Sequence, residues 1–197
     1  MKLLFDPASG KIYGAQAVGE DGVEKRIDVI ATAMMGGMSA RDLQDVELCY
    51  APPFGAARDP VNFAGMIAGN IMDGLEDTVT PMELLESIRS GDFASSSTTF
   101  VDVRPPEAII AKPISVVPEG QKLNVSLELI RRALHSDPGI RDRLARGPVV
   151  VSCTSGQRAH GAACILRHLG VQNVKILTGA ALTPSVARQA MRGGGGA

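Results

Sequence analysis

The chain has 197 residues, of which 45% are apolar and 21% charged, with a formal net charge of −1. Such a length holds one well-cored domain or two small ones; spread rather than clustered Lys and Arg leave no nucleic-acid partner expected, and no apolar run is long enough to cross a bilayer. MKLLFDPASG turns acidic before an h-region can form, so no signal peptide is expected, and three cysteines, an odd number, suggest reduced thiols in the cytoplasm rather than a disulfide framework.

In chain order, KLLF, DPASGK and IYGAQAV read as strand, turn and strand. Ile27, Ile30, Ala31 and Met34 recur at helical steps and predict one apolar helix face, ended by Gly36-Gly37. Ser39 and Asp42 cap a short helix reaching about Val46, and Leu48-Cys49-Tyr50-Ala51 runs extended into Pro52-Pro53. Asp59-Pro60 opens a helix ending near Asn70, and the polar stretch from Ile71 to Val79 reads as a connection between domains. The expected division is a first domain over 1–72, a second over 80–191 and a disordered tail over 192–197, where Gly193 to Gly196 cannot hold a fixed backbone cheaply.

Thr80-Pro81-Met82-Glu83 supplies an N-cap, a first-position proline and a capping glutamate. Beyond that helix, FVDV, LNV, PVVVS and VKIL are buried-strand runs separated by helical pattern, which predicts a parallel α/β sheet. Asp137-Pro138 and Thr183-Pro184 repeat the cap-plus-proline device and predict two more helix starts.

The segment that carries chemistry is Val149-Val150-Val151-Ser152-Cys153-Thr154-Ser155-Gly156-Gln157-Arg158. A cysteine between a parallel strand and a helix sits where open α/β sheets place their ligands. Loop N–H groups and the helix N-terminus can converge on its sulfur and stabilise a thiolate or an anionic adduct. Gly156 permits the tight turn, and Arg158 adds a fixed positive charge. The bland alternative is a small buried thiol. Four residues separate Cys153 from Arg158, one fewer than in a phosphatase cradle, so the ring suits a single sulfur atom better than a phosphate.

Asp102 and Arg104 have two readings: the acid braces the cysteine loop while the arginine adds positive potential, or Arg104 pairs locally with Glu107. Cys164 is expected in the core, and His135, His160 and His168 at the surface.

Cys-Thr-Ser-Gly-Gln-Arg at 153–158 resembles the active-site loop of rhodaneses, and Val101-Asp102-Val103-Arg104-Pro105-Pro106-Glu107 resembles their DVR-x-x-E segment. Leu177-Thr178-Gly179-Ala180 resembles their closing loop, with Ala180 where a second glycine is common. The resemblance implies transfer of sulfane sulfur from a donor to a thiol acceptor through a persulfide. Cys153 and Arg158 would be catalytic, and Thr154, Ser155, Gly156 and Gln157 would contact the substrate. AIIAKPISVVPEGQKL replaces the family's Gly-His-Ile-Pro-Gly-Ala stretch, which favours a second reading: an interaction module with a degenerate site.

GKIYGAQAVG, GVEKRIDVIATAM and ELCYAPPFGAARDPVNFAG resemble the dimerisation domain of coenzyme A-disulfide reductases and NADH-dependent persulfide reductases, in which a rhodanese domain often follows. The combined expectation is a small α+β dimerisation domain followed by a rhodanese-like parallel-sheet α/β domain. The resemblance implies a homodimer and a tyrosine, at Tyr50, that reaches toward the partner's redox cysteine; a tyrosine packed before a Pro-Pro turn is the other reading. FAD and NADH belong to the full-length family, and no Gly-x-Gly-x-x-Gly follows a strand here, so neither cofactor nor a metal is expected in this chain. The chain is then a fragment, a short natural product or the partner of a separate reductase.

Overall fold

A computed structural model describes residues 1–179. It divides into two compact units, Met1–Glu76 and the residues from Asp77 on.

In the first unit, β1 (Lys2–Phe5) pairs antiparallel with β2 (Ile12–Gln16) across the Asp6–Gly10 turn. Helix α1 (Val23–Met35) follows, then a single 3-10 turn at Asp42–Gln44 and helix α2 (Pro60–Met72). The core joins Ile12, Ile30, Ala33, Leu43, Val61 and Ala68. The buried face of α1 is therefore carried by Ile30 and Ala33, while Ala31 and Met34 are exposed, so the predicted face is rotated from the observed one. Helix α2 starts on a capping box in which Asp59 accepts from Val61 N–H at 3.0 Å and Asn62 accepts from Asp59 N–H at 3.1 Å. The amide of Asn62 donates to Leu43 O at 3.1 Å and Val46 O at 2.9 Å, which fixes the chain entering the Leu48–Phe54 stretch. At Gly65 a Cβ would stand 2.3 Å from Gln44 N, so only glycine allows α2 to lie this close to the 3-10 turn.

The second unit contains a parallel five-stranded sheet of order β3-β7-β6-β4-β5. Its strands are β3 (Thr78–Val79), β4 (Thr99–Asp102), β5 (Lys122–Asn124), β6 (Val149–Ser152) and β7 (Val174–Leu177). The predicted runs FVDV, LNV, PVVVS and VKIL supply four of these; β3 lies inside the stretch read as a polar connection. Helices α3 (Pro81–Ser90) and α4 (Asp92–Ser95) precede β4, and α5 (Pro106–Ala111) lies between β4 and β5. Helices α6 (Ile130–Ser136) and α7 (Pro138–Ala145) precede β6, and α8 (Gln157–His168) joins β6 to β7. Asp137 caps α7 by accepting from Gly139 N–H at 2.8 Å; the Thr183-Pro184 start, Ala180 and the tail lie outside the described residues.

Strand alternation splits the core in two. Val101, Val103, Val149, Val151 and Cys153 pack on one face with Ile130, Leu134 and Leu166. Phe100, Val150 and Leu177 pack on the other with Leu84, Leu85, Phe93 and the Ile114–Val117 segment. Each large apolar side chain buried in this way stabilises the fold by about 1.5–3 kcal/mol.

Candidate active site

Cys153 follows directly on β6, one of the inner strands of the sheet, beside the end of β4. The chain runs outward from β4 to β5 and in the opposite direction from β6 to β7, so Cys153 stands where the order of strands reverses, the usual place for a ligand in such a sheet. The residue is 2% exposed. The sulfur accepts two backbone hydrogen bonds, from Gly156 N–H at 3.1 Å and Ala159 N–H at 3.3 Å. These are the N-cap and third-residue amides of α8, which has no side-chain cap, so its unsatisfied donors and partial positive charge are directed at sulfur. Gly156 holds φ at 93°, a conformation that other residues adopt only under strain.

Of the predicted loop residues, Gly156 donates its amide to that sulfur. Thr154, Ser155 and Gln157 are exposed, Gly156 is half-buried, and Arg158 is exposed in the first turn of α8 with no ion-pair partner among the described residues. Ala159 was missing from the expected set. It contributes only its amide, yet a cysteine three residues before a glycine N-cap has that amide within reach, and this spacing was available to sequence reasoning.

Asp102 and Arg104 depart from both expectations. Their side chains are almost fully buried and pair with each other, Nη2 to Oδ2 at 2.6 Å and Nε to Oδ1 at 2.9 Å, while Glu107 is exposed. Asp102 is in register with Ser152, so its side chain lies on the opposite sheet face from Cys153. Among the described residues its carboxylate accepts only from Arg104, so it does not brace the cysteine loop. The arginine in turn donates to Lys112 O at 3.0 Å and Ala108 O at 3.4 Å, which fastens the 105–112 segment. Its charge is spent on Asp102 rather than offered to the sulfur. A short local sequence permitted either pairing; burial decided it, because a buried guanidinium requires a counter-charge at hand. Next to Cys153, Ser152 Oγ is buried without a hydrogen-bond partner.

The other thiols have different surroundings. Cys164 is exposed, not in the core, because Ala159, Ala162, Ala163 and Leu166 form the buried stripe of α8 and leave position 164 outward. His160 is half-buried, with Nε2 at 3.6 Å from Cys164 Sγ, and His135 and His168 are exposed. Cys49 and Tyr50 are exposed in the first unit, on a cleft of about 530 Å³ that Lys25, Arg58 and Phe54 also line.

The parallel five-stranded α/β unit with this cysteine loop is a rhodanese-like domain. Residues 1–60 match the pyridine nucleotide-disulphide oxidoreductase dimerisation domain. Over 95% of its length the chain is similar to the reduced CoADR-RHD of Bacillus anthracis, with 37% identity and a TM-score of 0.77, covering 30% of that chain. It is likewise similar to a NAD-dependent persulfide reductase of A. fulgidus, with 31% identity and a TM-score of 0.71 over 90% of this chain and 28% of that one. The coenzyme A disulfide reductase of Staphylococcus aureus (strain bovine RF122 / ET3-1) is 38% identical over 65 residues, which are 33% of this chain and 15% of that protein. The chain thus corresponds to the dimerisation and rhodanese region of the coenzyme A-disulfide reductase and persulfide reductase family, and spans under a third of those relatives' length. No helix among the described residues is long and apolar enough to cross a membrane.

Proposed function

We propose that the second unit is a rhodanese-type sulfurtransferase or persulfide carrier working through Cys153. The observation that carries this reading is the pair of α8 N–H groups donated to a sulfur at the carboxyl end of a parallel strand. Such donors stabilise the negative charge of an adduct formed on that sulfur. In the forward step the Cys153 thiolate attacks the outer sulfur of thiosulfate; the donor's S–S bond breaks, sulfite leaves with the electron pair, and Cys153 becomes a persulfide anion. An acceptor thiolate then takes that outer sulfur and restores the Cys153 thiolate. Arg158, exposed and charged at the mouth of the loop, attracts the anionic donor. Thr154, Ser155, Gly156 and Gln157 frame the sulfur's approach.

Mass spectrometry after exposure to thiosulfate or a low-molecular-weight persulfide tests the proposal. One added sulfur atom is expected on Cys153. Addition on Cys49 or Cys164 instead, or on no cysteine, removes the reading. The competing reading, an interaction module with an inactive loop, draws on the 2% exposure of Cys153, and absence of any uptake by a folded chain would favour it.

For the first unit the same proposal takes a homodimer, whose exposed Met35, Tyr50 and Phe54 supply apolar surface for a partner. Ile30 contributes none of it, being 1% exposed. In that assembly Tyr50 faces the partner protomer, and a separate flavin-dependent reductase supplies FAD and NADH chemistry. Light scattering on the full-length chain checks the dimer, and a monomer would remove it.

A further inference from the structure

We propose that the second unit also binds a small aliphatic carboxylate, in a cavity on the opposite face of the sheet from the Cys153 side chain. The cavity measures about 250 Å³ and lies against Asp102 and Asn124, the last residues of β4 and β5. Ile109, Ile110, Pro113 and Ile114 line it together with Phe100, so most of the wall is apolar. Its size lies below the roughly 300 Å³ at which sites for drug-sized ligands begin, which restricts the occupant to a small molecule.

Lys122 sets the charge of that molecule. Its side chain is only 10% exposed, while Glu119, its ion-pair partner at 2.5 Å, is 85% exposed. A buried ammonium needs an opposite charge close by. Here that charge stands largely in water on a side chain with no other hydrogen-bond or ion-pair partner among the described residues, so a ligand carboxylate can replace it from inside the cavity. The ligand's hydrocarbon part would at the same time cover Ile110, now 81% exposed. Asp102 and Glu119 also line the cavity; the charge of Asp102 is already balanced by Arg104 and opposes an anion little, while Glu119 must swing into solvent as the ligand carboxylate takes its place on Lys122. Arg104 holds the wall in shape as well, through its bonds to Ala108 O and Lys112 O on either side of Ile109 and Ile110. A pocket formed before its ligand arrives loses less on binding.

The proposal does not rest on sulfur chemistry at Cys153, and its test leaves that chemistry aside. Hexanoate is titrated into the ¹⁵N-labelled full-length chain, with hexanamide as the uncharged control. Saturable amide shifts are expected in residues 109–114 and 122–124, with hexanamide weaker by about tenfold or more, as befits loss of a charged hydrogen bond. Lys122→Met, which keeps an apolar stem, brings hexanoate to the level of hexanamide, and Glu119→Gln tightens hexanoate by removing its competitor. Equal affinities for the two probes, no saturable shift in those residues, or shifts confined to the Cys153 loop or the first unit overturn the proposal. If circular dichroism shows Lys122→Met to be unfolded, Glu119→Gln decides alone: tighter binding of hexanoate supports the site, and unchanged or weaker binding overturns it.

Discussion

The second unit contains two helix starts that dispose of the same free amide in different ways. At the start of α3 the third-residue amide, Glu83 N–H, donates to Thr80 Oγ1 at 3.2 Å, and Glu83 Oε2 returns to Thr80 N–H at 2.8 Å. At the start of α8 the third-residue amide, Ala159 N–H, donates to the sulfur of Cys153. The first arrangement closes on itself and takes the third amide out of reach of a ligand. The second has no capping side chain, so the orphan donors of the helix gather on a reactive atom instead. What separates a stabilising helix start from a chemical one is which side chain reaches the third amide, not the helix itself.

Breaking the chemical end gives the largest effect. Cys153→Ser is expected to abolish sulfur loading, because Cys49 and Cys164 receive no such pair of amide donors; mass spectrometry that still finds the persulfide on another cysteine would contradict this. Gly156→Ala comes next. Open space surrounds its Cβ position, so no clash arises, but φ of 93° must be kept by a residue with a side chain, at a cost of about 1–2 kcal/mol. A lower melting temperature together with slower sulfur uptake is the expected pair of observations, and an unchanged melting temperature would show that the loop has another way to turn. Arg158→Ala should reduce the rate of sulfur uptake by up to about tenfold, with stability within roughly 0.5 kcal/mol since the side chain is exposed. Arg158→Lys should restore part of the rate, and a joint collapse of rate and stability would make Arg158 a structural residue. At the other helix start, Thr80→Ala should cost about 1 kcal/mol in thermal unfolding with no change in sulfur uptake. A loss of uptake there would mean that the two helix starts are coupled.

The starts of α2, α3 and α7 were legible because Asp59-Pro60, Thr80-Pro81 and Asp137-Pro138 act through their own neighbours. The cysteine loop was legible for the same reason, since its strand, glycine and arginine follow one another in sequence. Features that depend on what packs opposite were not. Strand β3 has only two residues and exists through pairing with β7, nearly a hundred positions away. The inner face of α1 turned out to run through Ile30 and Ala33 rather than Met34, and Cys164 turned outward while Ala162, Ala163 and Leu166 turned in, because what packs against a helix sets which face it buries. Arg104 chose Asp102 over Glu107 only once the fold had removed both from water.

The smallest effect concerns the charge in the self-closing cap. Glu83 has its carboxyl held below the ordinary value of 4.5, first because Thr80 N–H donates to it, then because the Thr80 hydroxyl does, with a weaker pull from Lys175. A carboxyl whose folded value lies below its unfolded value stabilises the fold fully above the unfolded value, near 4.5, and loses that contribution as pH falls through the lowered folded one. Glu83→Gln keeps an acceptor for the Thr80 amide while removing the charge. The melting temperatures of the two proteins should therefore differ slightly at neutral pH and converge as the solution is taken from about pH 5 toward pH 3. A gap that stays constant or widens on acidification would mean that the cap holds through geometry alone. The start of α8 has no carboxylate in its first turn. Its hold on the Cys153 loop should therefore pass through the same acid range without a step assignable to a capping acid, so that acid separates the helix start that stabilises from the one that presents its amides to sulfur.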